Sequence, residues 1–328
     1  MSRPETAVEE GVVATVVELR NTLKVAQTSR HLARRNLPCH NRTPTLKRTF
    51  RMRMRELPRL ILPALMLAAC AKTEPPADQT AAAAAPAAPN MVHVTATDYA
   101  FQAPDTLPSG VTTFHLMNEG KEAHHVVLIK KSMADFQKVD PAGPLPADLV
   151  VVGGPNAALP GGTAEATVDL APGSYTMVCF IPAPDGKMHM MKGMVRALEV
   201  TASPSTAVMP VADITIKLTD YAFDISGPMT AGRHVIRVED AGPQMHELIF
   251  VKLAPGKTVQ QMAAWLEKPQ GPPPGTVLNG ASPMTAGMVN TTTVDLAAGD
   301  YGLICFLPDS KDGKPHIAHG MIKQITVN

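Results

Sequence analysis

Residues 175–194 read YTMVCFIPAPDGKMHMMKGM, and residues 301–321 read YGLICFLPDSKDGKPHIAHGM. Each stretch ends an apolar run on Cys-Phe, passes through a loop rich in Pro, Asp, Gly and Lys, and closes on a His, three further residues and then Gly-Met. Thiolate, imidazole and thioether are soft or borderline donors, the set that selects copper over magnesium or calcium. Taken singly, each residue has an ordinary alternative. A Cys on an apolar strand is a small buried hydrophobe, and Met is a common core filler. The same set occurring twice in one chain favours a ligand role.

Outward from these stretches the chain repeats itself. Residues 91–200 and 210–328 align with few gaps, joined by a short linker near residues 203–210. Thr97-Asp98-Tyr99-Ala100-Phe101 recurs unchanged as Thr219-Asp220-Tyr221-Ala222-Phe223. Gly120 precedes His124 by four residues, as Gly242 precedes His246. The offset between copies is 122 for that early His, 126 for the Cys, and 127 for the later His and the Met.

Each copy reads as short strands. VHVTATDYAF and ITIKLTDYAF alternate apolar and polar residues with β-branched enrichment. HHVVLIKK and HELIFVKL open on the early His. TAEATVDLAPGSYTMVCF and NTTTVDLAAGDYGLICF read as hairpins turning at Pro172-Gly173 and Ala298-Gly299. Residues 131–162 and 253–290 interrupt the pattern. Lys257 to Lys268 has helical periodicity, with Thr258 as its cap and Trp265 packing it onto a sheet. Ser132 to Val139 is a shorter counterpart. Seven or eight short strands per copy predict an all-β fold, two tandem β-sandwiches each with a short helical insertion. Residues 91–200 are the first domain and 210–328 the second, each expected to fold alone.

Each half resembles a cupredoxin, the Greek-key β-sandwich of blue copper proteins. In that family one His comes from before a middle strand, and a Cys, a second His and often a Met come from the loop between the last two strands. The resemblance covers most of residues 91–328. It implies the metal ligands His124, Cys179, His189 and Met194 in the first half, and His246, Cys305, His316 and Met321 in the second. It also implies copper as the cofactor, at most one ion per domain. A trigonal His2Cys site with a weak axial Met serves both oxidation states of copper with little rearrangement. Two departures stand out. The family separates the Cys from the second His by only a few residues, whereas here nine (180–188) and ten (306–315) intervene, which predicts a looser site. After the first His, where the family often has Asn, this chain has His125 and Glu247. His93, His115 and His234 lack partner spacing, His319 has no counterpart in the first half and is an alternative candidate ligand, and Met188, Met190 and Met191 around His189 suggest a thioether-rich Cu(I) shell.

The N-terminus reads as an export signal. Residues 1–59 carry 13 Lys and Arg against 5 Asp and Glu, and residues 60–328 carry 17 against 24. Arg51, Arg53, Arg55 and Arg59 precede LILPALMLAA and then Cys70. Basic, apolar and small residues in that order make a secretory signal. Leu67-Ala68-Ala69-Cys70 resembles a bacterial lipoprotein signal, which implies lipid attachment at Cys70. Residues 52–70 are the signal peptide, residues 1–51 a misassigned extension, and residues 71–90 an Ala/Pro-rich disordered tether. The mildly acidic body excludes nucleic acid as a partner. These readings predict an exported protein of the envelope or periplasm, lipid-anchored to the membrane. It transfers single electrons at copper with a redox partner or a copper-handling protein, and is a carrier or binding protein and not an enzyme. The alternatives are a metal-free structural module and a copper storage or delivery protein.

Overall fold

A computed structural model describes residues 87–140, 146, 148–267 and 270–328. Cys70 and the stretches read as signal peptide, N-terminal extension and most of the tether lie outside them. Among the described residues no helix is long and apolar enough to cross a membrane.

In the first half the order is β1 (Asn90–Thr97), β2 (Ala100–Gln102), β3 (Thr106–Pro108), β4 (Gly110–Asn118), β5 (Val127–Ile129), α1 (Met133–Phe136), β6 (Val151–Gly153), β7 (Thr163–Leu170), β8 (Gly173–Val178) and β9 (Val195–Thr201). In the second half it is β10 (Ile214–Thr219), β11 (Ala222–Ser226), β12 (Gly232–Asp240), β13 (His246–Leu253), α2 (Val259–Glu267), β14 (Gly275–Met284), β15 (Val289–Leu296), β16 (Gly299–Ile304) and β17 (Ile322–Val327). The fold is all-β, two cupredoxin-like sandwiches, each with a short helical insertion. One sheet, β11-β10-β12-β15-β7-β4-β1-β2, runs through both halves. The facing layers are β3-β9-β8-β5-β6 in the first half and β14-β13-β16-β17 in the second.

Alternation builds the shared sheet. Val92, Val94 and Ala96 of β1 point inward and meet Tyr175, Met177, Leu198 and Val200 from the opposite layer. Ile214, Ile216 and Leu218 of β10 do the same against Phe250, Tyr301 and Leu303. Each such large side chain buried contributes roughly 1.5–3 kcal/mol. The runs Val126–Ile129 and Leu248–Val251 do not alternate because both faces are covered. Phe136 of α1 packs on Val127, Ile129 and Val178, and Val259 and Met262 of α2 pack on Ile249, Val251 and Ile304. Thr258 caps α2, its Oγ1 accepting from the Gln261 N–H at 3.2 Å, and Ser132 caps α1 through the Asp135 N–H at 3.2 Å.

The expected hairpins at Pro172-Gly173 and Ala298-Gly299 are corrected by the topology. β7 pairs with β4 and β15, whereas β8 pairs with β5 and β9. The chain therefore arches from one layer to the other. Gly173 and Gly299, with φ of 137° and 141°, allow the change of direction. The hydroxyl of Tyr175 donates to the Ala171 carbonyl at 2.9 Å, and Tyr301 repeats the bond to Ala297 at 2.9 Å. This is the tyrosine-corner device of Greek-key sandwiches. The segments read as interruptions also hold strands, β6 and the ten-residue β14.

The halves meet along a polar seam. β15 and β7 pair at Thr291–Thr167 and Thr292–Ala166. Asn290 accepts from the Gly154 N–H at 2.9 Å and donates to the Val152 carbonyl at 2.7 Å. Asn156 donates to the carbonyls of Leu248 and Ala281 at 3.3 and 3.0 Å.

Candidate metal centre

The first-half residues converge where β5, β8 and the loop before β9 meet. His124, Cys179, His189 and Met194 are each fully buried. Nδ1 of His124 lies 3.1 Å from Nδ1 of His189, and Sγ of Cys179 lies 3.5 Å from the latter. The three donor atoms lie within 4.8 Å of one another. A metal held by two nitrogens at about 2.0 Å and one sulfur at about 2.3 Å in a plane sets the nitrogens about 3.5 Å apart and nitrogen and sulfur about 3.7 Å apart. The observed spacings fit. Met194 packs in the same core cluster as Cys179, and its carbonyl accepts from the Cys179 N–H at 3.2 Å.

The long Cys-to-His loop does not loosen this arrangement. The His189 N–H donates to the Ile181 carbonyl at 2.9 Å and the Met190 N–H to the Cys179 carbonyl at 2.9 Å. Those bonds pinch the loop shut two residues after the Cys. Residues 182–188 then form an excursion closed by a Pro182–Met188 bridge, its base at Pro182 and Ala183 buried and its tip at Pro184, Asp185 and Lys187 exposed. His189 opens a 3-10 turn, His189–Lys192, which ends on Gly193 at φ 108° and delivers Met194 to the start of β9. The second loop repeats the pinch through His316 to Leu307 at 2.8 Å and Ile317 to Cys305 at 3.0 Å.

The environment suits a cation. Burial, reinforced by the neighbouring His189, pulls His124 down to about 4, so at neutral pH it is an uncharged imidazole with a lone pair to give. Burial lowers His189 as well, against the pull of Glu122. Burial pushes the Cys179 thiol up to about 12, and only a bound cation can hold its thiolate there. The outward nitrogens face carboxylates. Nε2 of His189 is 2.8 Å from Oε2 of Glu122. Nε2 of His124, buried with no hydrogen bond, is 3.6 Å from Oδ1 of Asp98. A proton on each Nε2 leaves each Nδ1 free to ligate, the carboxylate–histidine arrangement of metal sites.

Two groups beside the histidines come from the repeated motif. Asp98 and Tyr99 belong to the duplicated Thr-Asp-Tyr-Ala-Phe. Tyr99 and Tyr221 hold left-handed backbones, φ 67° and 68°, which a bulky residue adopts only when its surroundings compel it. The Tyr99 ring packs edge-on against His189 at 5.2 Å, and its hydroxyl donates to Glu122 Oε1 at 2.9 Å. His125 and Glu247 fill a definite role: the N–H after each Cys donates to them, Phe180 to His125 Nε2 at 2.9 Å and Phe306 to Glu247 Oε1 at 3.1 Å.

The second-half set is buried in the same way, with Cys305 Sγ 3.4 Å from His316 Nδ1 and ring centroids of His246 and His316 4.9 Å apart. Its three donors are not grouped within 4.8 Å of one another as the first three are. Met321 is buried in the core cluster that holds Cys305. His319 does not join Cys305; it stacks on Tyr221 at 4.8 Å and bonds Asp312 at 3.1 Å. Neither Cys pairs with the other, since both are free. Of the thioethers around His189, Met191 is 56% exposed, Met188 and Met190 are partly buried, Met190 packing against the cluster of Val127, Ile129 and Phe136, and Met194 is fully buried in the core cluster that holds Cys179. His234 bonds Asp213, and His115 lies 3.7 Å from Glu165, both away from these centres.

Neither a protein-family model nor a curated protein matches the chain. Solved structures are similar to it. Reduced auracyanin from Roseiflexus castenholzii is 26% identical and covers 36% of this chain and 100% of its own, with a TM-score of 0.27. A blue copper oxidase from Nitrosomonas europaea is 14% identical over 73% of this chain and 85% of its own, TM-score 0.24. The copper nitrite reductase of the same organism is 15% identical over 73% and 93%, TM-score 0.21. The expectation that the chain is not an enzyme is thereby corrected: the structures similar over 73% of its length include an oxidase and a reductase.

Proposed function

We propose that the chain is an exported copper protein that passes single electrons, with one ion held in the first half by His124, Cys179 and His189 and weakly by Met194. The convergence of a ring nitrogen of His124, a ring nitrogen of His189 and the Cys179 Sγ within 4.8 Å of one another, all on buried residues, carries this reading. Copper bound there would supply a one-electron couple. The residues supply the rest. Glu122 and Tyr99 hold His189 in one tautomer and orientation. His125 fixes the backbone just after Cys179. The pinch at Ile181 and the Gly193 turn bring His189 and Met194 back to the Cys. A donor set held this firmly changes little between oxidation states, which keeps electron transfer fast.

Full-length protein loaded with Cu(II) should show a thiolate-to-copper band, and Cys179→Ala should lose both the band and the ion. Equal, near-zero copper in the two proteins, with either oxidation state, would contradict the reading. The basic, apolar and small residues before Cys70 support a lipid anchor at the envelope, and Cys70→Ser should then move the protein out of the membrane fraction. Unchanged membrane association of that variant counts against the anchor.

A further inference from the structure

Position for position, one buried difference between the two centres lies at the end of the strand that precedes the first His. Asn118 ends β4, and Asp240 ends β12 at the matching place, 122 residues on. Both are fully buried. The Asn118 amide nitrogen donates to the carbonyls of Glu122 and Ala158 at 2.7 and 2.8 Å, and its oxygen accepts from the Gly120 N–H at 2.8 Å. Its side chain is satisfied without touching the His124 ring, so His124 Nδ1 turns to His189 and Cys179. Asp240 has no amide hydrogens to give. It accepts from the Gly242 N–H at 3.1 Å, the His246 N–H at 3.0 Å and His246 Nδ1 at 2.8 Å. The ring stands differently as a result. A Cβ placed on Gly120 would meet Nε2 of His124 at 2.6 Å, whereas one on Gly242 would meet Cε1 of His246 at 2.4 Å.

Building on the copper reading of the first half, we infer that Asp240 takes the His246 nitrogen that a metal would need, so that the second half does not hold copper as the first does and the chain binds one ion. A buried carboxylate bonded to both the backbone and the ring of His246 is a competitor that an entering ion must displace. The residues of the second centre therefore do not fit the metal that the cupredoxin fold implies. Cys305 and His316 remain as a buried pair in the core. Asn118 and Asp240 set which half is the metal-binding one.

The test is copper stoichiometry on the full chain, loaded with Cu(I) and separately with Cu(II). The wild type should hold one ion. Cys179→Ala should hold none, and Cys305→Ala should still hold one with an unchanged band. Asp240→Asn, which installs the first-half residue, should raise the count to two, with the second ion lost again on adding Cys305→Ala. Two ions in the wild type, or a copper loss caused by Cys305→Ala alone, would overturn the inference while leaving the first-half site standing. A folded Asp240→Asn that stays at one ion also overturns it. No copper in any protein would sink the first-half reading and this inference together. Should Asp240→Asn fail to fold, the two Cys variants decide the matter alone.

Discussion

At the scale of single residues, the first centre is a set of donors held from outside. Nδ1 of His189 is available because Glu122 engages Nε2 at 2.8 Å, and Glu122 is itself positioned by the Tyr99 hydroxyl. Loss of such an outer partner typically weakens metal binding by about 10–100-fold. Glu122→Gln should therefore lower copper affinity by about that factor in a competition titration while leaving the unfolding midpoint nearly unchanged; an unaltered affinity would show that Glu122 does not orient His189. The ligands were legible in the sequence because Cys, His and Met recur together. Glu122 was not, for its second-half counterpart is Gln244 and the carboxylate beside His316 comes instead from Asp309 in the long loop, 4.0 Å from Nε2. Gln244 and Tyr221 both donate to that Asp309. The function is kept while the residue moves, and a position-by-position comparison cannot see that. The contrast of Asn118 with Asp240 was visible in the text, but its meaning depends on which side-chain atoms reach the ring.

Among the elements, the Cys-to-His loop is the instructive one. Nine intervening residues predicted slackness, because spacing was counted along the chain. Across the Ile181–His189 bond the separation is two residues, and residues 182–188 hang outside the pinch as an excursion. Replacing residues 183–187 with Asn-Gly, a two-residue turn suited to an antiparallel pair, should leave copper stoichiometry and the visible band unchanged. A folded variant that loses copper would mean that the tip, and not the pinch, organises the site. The strands β1 and β10 were readable from alternation, and α2 from its cap and period. β14 was not. Its Gly275, Gly280 and Pro283 read as loop punctuation, yet it runs beside β13 with two register shifts that absorb them. The hairpin reading of β7–β8 failed for a related reason: Pro-Gly marks a reversal of the chain without saying whether the reversal stays in one sheet or crosses to the next.

Across the whole molecule, two apolar cores lie on either side of a hydrogen-bonded seam. One gathers side chains from Val92 to Val200 and the other from Ile214 to Val327. The near-repeat of chain positions produces a near-repeat of architecture, while the chemistry of the two centres separates at a few buried polar residues. The segment 154–158 links them in space. Ala158 pairs with His124, and Asn156 bonds the carbonyl of Leu248, two residues after His246. His124 and the strand that opens on His246 thus rest against one short segment, and an asymmetric metal content would sit within a nearly symmetric frame. The central claim is that one ion is held by His124, Cys179 and His189. X-ray absorption at the copper edge of the full-length, copper-loaded protein tests it most directly. One short sulfur and two nitrogen neighbours per copper are expected, at about 2.3 and 2.0 Å by analogy with other first-row sites, with no copper bound by Cys179→Ala under the same loading. A copper shell of oxygen and nitrogen alone in the wild-type protein would contradict it.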